Sequence, residues 1–377
     1  MNGTRSIRLA LFFSKGVSLK TWEHYGLLER ELALYRSLQS CLGGITFVSY
    51  GDRSEGSYQA LIPGIEILHN RWGLPTNLYA RLIPFLHAPS LRRASVFKTN
   101  QTNGAEIALA AARLHRKRLI ARCGYMWSDF AARGGAGRLA EAERARRVEC
   151  RVFNGAHKVV VTTPAMRDYA MHHYQLPQAK MQIIPNYVLT DLFCPDGTSP
   201  ISNRLCFVGR LEEQKNLVAL VEACAGLDVE LVVAGDGPLR RPLAEMAEHL
   251  QVKLRLLGNL PHVELPKVLR ESSVFLLVSS HEGHPKSLIE AMACGLPAIG
   301  ADSPGIRELI RHGETGFLCG TDPSSIRTAI QTVLADDSLR RRMGQNARQY
   351  VLENFALEKV VSMELEVLNR VSQDTPL

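Results

Sequence analysis

One pattern, run through twice, governs what this chain can fold into: short apolar runs rich in β-branched residues alternate with stretches of helical period. In the first round "IRLALFF", "GITFVSY", "VFKTN", "KRLIARC", "HKVVVTT" and "MQIIP" read as strands, and segments such as "TWEHYGLLERELALYRSL" read as the helices between them. A linker punctuated by Pro, Asn and Gly follows, "IIPNYVLTDLFCPDGTSPISN" at 183–203. The second round then begins, with "RLCFVGR", "VELVVAG", "LRLLGN", "VFLLVSS", "LPAIGAD" and "TGFLCG" as its strands. Strands joined through helices pair in parallel, and a parallel sheet needs helices over both faces. The pattern predicts two doubly wound α/β domains, over 1–187 and 188–353, and a final helical segment, "NFALEKVVSMELEVLNRVS", within 354–377.

Composition narrows the class further. With 46% apolar and 22% charged residues the chain reads as a soluble globular protein. No run approaches the ~20 apolar residues of a membrane-spanning helix. "MNGTRSIRLALFFSKGV" reads as a polar start running into a strand rather than as a signal peptide, so a cytoplasmic location is expected. The eight cysteines are scattered, with no C-x-x-C pair, and read as reduced thiols, several of them in apolar runs.

Charge divides the halves. Residues 1–187 carry 26 Lys and Arg against 12 Asp and Glu, whereas residues 188–377 carry 19 against 25. The basic half suggests an anionic partner, a membrane surface or a phosphate-bearing substrate, with "RLHRKR" (113–118) and "ERARRVECR" (143–151) densest. A solvated helix face laced with ion pairs is the alternative. Nucleic acid is not expected, because the basic runs carry little aromatic interleaving.

In open α/β sheets ligands bind beyond the carboxyl ends of the strands. Three such loops of the second half hold suitable residues. In "FVGRLEEQKN", Arg210 and Lys215 can converge with free backbone N–H groups on one anion, or they can pair with Glu212 and Glu213. In "VVAGDGPLR", Gly235, Gly237 and Pro238 mark a tight turn into a helix, with Pro238 suited to its first position. A lone Gly-x-Gly is a nucleotide signal or a structural turn, and no full G-x-G-x-x-G opens either domain, which disfavours a dinucleotide dehydrogenase.

The third loop is "HEGHPKSLIEAMACG" (281–295), in which Glu282 and Glu290 stand eight residues apart. Pro285 starts a helix between them, so one carboxylate lies in the loop and the other on the helix wall, while N–H groups from about His284 to Leu288 face a phosphate. The arrangement can grasp an extended nucleotide sugar, with Glu290 on ribose and Glu282 on sugar hydroxyls. Paired carboxylates also suit glycoside hydrolysis, but beside a helix N-terminus and two cations a raised acid pKa is hard to arrange.

These motifs, together with "VVTTPAMRDYAMHHYQLPQAKMQIIPN" and the run "LGNLPHVELPKVLRESSVFLLVSSHEGHPKSLIEAMACGLPAIGADSPGIRELIRHGETGFLC", resemble the retaining glycosyltransferases of family 4. That resemblance implies the GT-B fold: two Rossmann-like domains facing a central cleft, with the C-terminal helix crossing back to the first. It implies transfer of a sugar from a UDP- or GDP-type donor to a glycan or lipid-linked glycan acceptor, without cofactor or metal. Glu282 and Glu290 match the family's E-x7-E motif. By the resemblance Glu282 holds the donor sugar, Glu290 the ribose, and Arg210 and Lys215 the diphosphate. The backbone at Asn259 and Leu260 faces the base, and His284, Pro285, Lys286, Ser287 and Leu288 surround phosphates and sugar, with Gly209 in the "FVGR" turn. Gly16 falls where the family places a glycine-rich loop, reduced here to one glycine.

The N-terminal half departs from the family pattern in lacking the usual histidine near "LIARCGYMWSDF" (119–130), where Arg122, Gly124 and Tyr125 stand instead. Arg122, Tyr125 and Trp22 are the acceptor-side candidates, Trp22 as a residue on which a sugar stacks or as a core residue. The basic half fits a peripheral place on the inner face of an anionic membrane. Rival functions are a GT-B nucleotide-sugar 2-epimerase and a non-catalytic sugar-nucleotide-binding subunit.

Overall fold

The computed structural model describes residues 7–134 and 136–377; the polar start, residues 1–6, lies outside the described residues. Two compact units divide the chain: Met1–Pro185 with Val360–Leu377, and Asn186–Lys359. The divisions fall after Pro185 and Lys359, against the expected 187 and 353.

Seven parallel strands form the first sheet: β1 (Arg8–Phe12), β2 (Gly44–Val48), β3 (Ile65–Leu68), β4 (Val96–Thr99), β5 (Arg118–Cys123), β6 (Lys158–Val161) and β7 (Met181–Ile183). Their order is β3-β2-β1-β4-β5-β6-β7. The second sheet comprises β8 (Arg204–Val208), β9 (Glu230–Ala234), β10 (Lys253–Gly258), β11 (Val274–Leu277), β12 (Ala298–Ala301) and β13 (Phe317–Cys319), ordered β10-β9-β8-β11-β12-β13, again all parallel. Both are doubly wound, with the order reversing once, between β1 and β4 and between β8 and β11.

Central strands such as "VFLL" of β11 and "AIGA" of β12 are buried along their whole length, as parallel strands covered on both faces must be. Each unit has its own apolar core: Phe207, Phe275, Leu288 and Ile299 lie in one, and Phe97, Leu119, Phe153 and Val159 in the other. Helix starts follow side-chain capping where the sequence allows it. Thr163 accepts from the Met166 N–H ahead of Pro164, and Asp322 does the same for Ser325 ahead of Pro323.

Two local expectations change. Strand β3, "IEIL", was not anticipated: it is short and carries Glu66, whose carboxylate is held by Thr46, Ser90 and Arg93. The segment "TWEHYGLLERELALYRSL" is not one helix but two, Leu19–His24 and Leu28–Gln39, because Gly26 turns left-handed at φ +65° and ends the first.

The final helix, Leu357–Gln373, supplies Val360, Val367, Leu368 and Val371 to buried positions. Its Glu364 pairs with Lys98 of β4 at 2.5 Å, with both side chains buried. Burial pushes the Lys98 ammonium pKa down, while the Glu364 carboxylate beside it pulls the other way. The pair ties the end of the chain into the first unit. Four cysteines, Cys123, Cys206, Cys224 and Cys294, are buried thiols; Cys150 is exposed.

Candidate active site

The second sheet reverses its order between β8 and β11, and the loops that follow these two strands are stitched together. The Gln214 carbonyl accepts from the Ser280 N–H at 2.9 Å, and the Gln214 amide donates to the His281 carbonyl at 2.6 Å. Asn216, in the left-handed conformation at φ 56°, donates to the carbonyls of Val278 and Thr321. These bonds set Lys215 directly against Glu282, Nζ to Oε1 at 2.6 Å, with the side chains only 13% and 9% exposed. A pair so shielded holds its geometry better than a surface pair, whose charges water screens.

Glycines explain how the first loop comes so close. A Cβ on Gly235 would stand 1.9 Å from the Gly209 carbonyl oxygen, and one on Gly237 would stand 2.6 Å from that of Leu211. The Gly-x-Gly of the β9 turn is therefore a close-approach device for the Gly209–Leu211 loop, which it also bonds: Leu211 N–H donates to the Asp236 carbonyl. Pro238 lies in the turn, and the helix starts only at Arg240. The Glu282 loop has its own support in Ser303, Pro304 and Gly305. Glu282 N–H donates to the Pro304 carbonyl at 2.8 Å, Ser303 Oγ donates to the Ser279 carbonyl, and a Cβ on Gly305 would meet the Glu282 carbonyl oxygen at 2.4 Å.

Pro285 precedes the helix Lys286–Ala293 and supplies no capping side chain. The Ile289 N–H bonds the Pro285 carbonyl, so the N–H groups of Lys286, Ser287 and Leu288 come before the helical ladder. Glu290, in the second turn, is 2% exposed, and its Oε1 lies 2.8 Å from His262 Nε2. A carboxylate has about four acceptor positions, and this bond orients the group. The Phe193 ring stands 4.9 Å from the His262 ring and helps to hold it. Cations, early helix N–H groups and two oriented carboxylates thus share one end of the second sheet, a set that can bind a polyhydroxylated diphosphate.

Residues 46–192 match the family described as Glycosyltransferase Family 4, and residues 198–350 match Glycosyl transferases group 1. The chain belongs to glycosyltransferase family 4. Among curated relatives, this family 4 chain is 30% identical over 217 residues to N-acetyl-alpha-D-glucosaminyl L-malate synthase of Bacillus anthracis, covering 54% of this chain and 57% of that one. It is 29% identical over 236 residues to D-inositol 3-phosphate glycosyltransferase of Corynebacterium glutamicum (strain R), covering 56% of each. The matches span a little over half the length of these relatives. Its fold is that of sucrose-phosphate synthase from Thermosynechococcus elongatus (TM-score 0.81, 19% identity, 97% of this chain and 99% of that one). Anabaena Alr3699/HepE, solved with UDP and glucose, is also similar (TM-score 0.78, 16% identity, 96% and 99%). Both comparisons agree with the GT-B architecture.

The other candidate residues of this family 4 chain scatter more widely. Arg210 is exposed and pairs with Glu212 at 2.8 Å, so one of the two expected cations has a surface ion-pair partner. Asn259 and Leu260 follow β10 at its carboxyl end. Two side chains around the helix start point away from a ligand, which leaves their backbone to meet one. The Leu288 side chain is fully buried in the core, leaving only its backbone to a ligand. The His284 ring is also buried, 5.1 Å from the Phe355 ring, and its carbonyl accepts from Asn186. Lys286 Nζ stands over the Tyr187 ring at 5.9 Å.

In the first unit, Gly16 is exposed at φ +80° in the turn after β1, where an added Cβ would touch nothing. Arg122 sits at the end of β5, its N–H held by Thr99 Oγ1, and the Tyr125 ring packs on Phe130. Trp22 is corrected: it is 4% exposed and stacks on Phe13 at 4.2 Å, so no sugar reaches its face. Sequence reasoning missed His262, Gln214, Asn216 and the Ser303–Gly305 support. Ser-Pro-Gly is a readable turn signal, but His262 lies 28 residues from Glu290 with no pattern linking them.

Proposed function

We propose that this chain is a retaining glycosyltransferase that moves a sugar from a nucleoside diphosphate, of UDP or GDP type, to a glycan or lipid-linked glycan. The observation that carries the reading is the Lys215–Glu282 pair, held between the β8 and β11 loops of the second unit. Lys215 and Arg210 face the diphosphate, the N–H groups of the Lys286–Ala293 helix add to them, Glu282 takes sugar hydroxyls, and Glu290, oriented by His262, takes the ribose. Anabaena Alr3699/HepE, bound to UDP and glucose, supports a nucleoside-diphosphate donor.

In the proposed step the bond from the anomeric carbon to the β-phosphate oxygen breaks, and its electron pair leaves with the diphosphate. An acceptor hydroxyl bonds to that carbon on the same face, and its proton passes to the departing phosphate oxygen. Lys215 and Arg210 offset the charge that grows there, which asks no metal of the site and makes neither glutamate a nucleophile. Among the described residues no helix is long and apolar enough to cross a membrane. The basic N-terminal half supports a peripheral place at the cytoplasmic membrane face, beside a lipid-linked acceptor.

The test is thermal stabilisation by UDP, GDP, ADP, CMP and NAD, each in large excess, where a ligand at about 100 times its dissociation constant adds about 2.7 kcal/mol. A shift with one nucleoside diphosphate that vanishes in Glu290→Ala supports the site. A shift with NAD alone, or with no diphosphate, overturns it.

A further inference from the structure

Between Glu66 and Asp129 the chain has one acidic residue, Glu106, among ten Lys and Arg. The fold gathers part of this stretch onto one surface of the first unit. The helices Thr76–Leu86, Ala88–Arg93 and Ala105–His115 meet around an open groove of about 630 Å³ whose lining includes Phe85, Arg92, Leu114, Arg116 and Lys117. Two bonds fix its shape: His115 Nε2 lies 2.8 Å from the Pro84 carbonyl, and Lys117 Nζ donates to the Arg92 carbonyl at 2.6 Å.

Apolar groups project from this basic surface. Phe85 is 64% exposed, Leu114 49%, and Leu78, two turns before Phe85 on the same helix, 45%. Arg81, Arg92, Arg113 and Arg116 have no carboxylate partner among the described residues, although many other arginines of the chain are ion-paired. Helix C-termini account for some of these cations, since Arg92 and Arg113 lie in last turns and complement the dipole. They do not account for Arg81 in mid-helix, nor for a phenyl and two isobutyl groups left in water.

We infer that this surface docks on an anionic lipid bilayer, with Phe85 and Leu114 entering the headgroup boundary and Arg81, Arg92 and Arg116 over the lipid phosphates. Charge complementarity selects that occupant. Two copies of the patch repel each other, and a nucleic-acid backbone offers no apolar layer for Phe85 and Leu114, whereas a bilayer interface supplies both an anionic plane and an apolar layer. The other basic run, 143–151, contributes less: Arg146 faces Glu143, and Glu149 is buried against Tyr174. Lys117 and Arg118 lie where β5 begins, so docking here leaves the loops beyond the strands' carboxyl ends uncovered for an acceptor. The surface stands on its own residues; its use for a lipid-linked acceptor rests on the transferase reading.

The experiment is sedimentation of the full chain with phosphatidylcholine vesicles, with and without phosphatidylglycerol, for the wild type, Arg92→Glu/Arg116→Glu and Phe85→Ser/Leu114→Ser. Each cation near an anionic surface is worth roughly fivefold in partition, so the charge variant should lose about 25-fold or more. The apolar variant should lose about tenfold. All four substitutions fall on exposed side chains, and equal melting temperatures confirm that the variants fold. Wild-type binding that ignores phosphatidylglycerol, or that survives either double substitution, overturns the inference. So does self-association that Phe85→Ser/Leu114→Ser abolishes without any vesicle binding, which assigns the face to a second copy. Nucleotide-induced stabilisation measured on the same variants should be unchanged; if it is present while vesicle binding is absent, the docking surface fails and the transferase reading stands.

Discussion

Replacing Lys215 by methionine keeps the aliphatic stem and removes the charge, leaving the Glu282 carboxylate, 9% exposed, without the ammonium 2.6 Å away. Breaking a fully buried pair by removing one partner costs about 3–5 kcal/mol, and the residual exposure of both groups lowers that to roughly 2–3 kcal/mol. For a unit the size of Asn186–Lys359 each kcal/mol moves the melting temperature by about 2–4 °C, so Lys215→Met should melt roughly 4–12 °C lower. The double variant Lys215→Met/Glu282→Gln removes the stranded charge and should recover most of that loss. Activity should behave differently. A cation lost from a leaving diphosphate costs about 10²–10³ in turnover, and the double variant should recover none of it. Scanning calorimetry and single-turnover transfer from the nucleotide sugar read the two quantities separately. An unchanged melting temperature in Lys215→Met, or a double variant no more stable than the single, would refute the electrostatic account of the pair; near-normal turnover would remove Lys215 from the mechanism.

Gly235→Ala should destabilise the second unit by more than about 3 kcal/mol, since its methyl would stand 1.9 Å from the Gly209 carbonyl oxygen; a melting temperature equal to wild type would contradict the close-approach role. Glu290→Ala should weaken nucleoside-diphosphate binding at least tenfold by titration calorimetry, and His262→Gln should raise the donor KM more than it lowers kcat. Equal donor affinity in Glu290→Ala would end its ribose assignment. Burial, reinforced by Arg71 and His69, pushes the His87 pKa down from 6.5 to about 4. The folded state then holds this ring neutral while the unfolded chain takes up a proton. Stability is therefore full above pH 6.5 and falls by about 3 kcal/mol as pH drops to about 4. Denaturant titrations across that window should show the slope in the wild type and a flatter line in His87→Gln.

The two rounds of parallel strands, the position of the linker and the placing of charged residues in strand-to-helix loops are all legible in the sequence. Each depends on neighbours within a few residues: period, β-branching and turn chemistry act locally. The E-x7-E spacing was legible for the same reason, with Pro285 marking the break between its two carboxylates. Strand β3 escaped because its four residues include Glu66, whose half-exposed carboxylate on this edge strand is held by Thr46, Ser90 and Arg93. Trp22 was ambiguous because an indole suits a core and a sugar face equally well, and the neighbouring Phe13 and Phe47 decide. Local reading found the exposed Arg210–Glu212 pair, but the partners of the buried charged groups were decided by the tertiary structure. Local reading offered Glu212 and Glu213 to Lys215, whereas the fold gives it Glu282, 67 residues away, and joins Lys98 to Glu364 across 266. Such long-range pairs act over a few ångströms of space and not along the chain, so they exist only once the sheets have brought distant segments together.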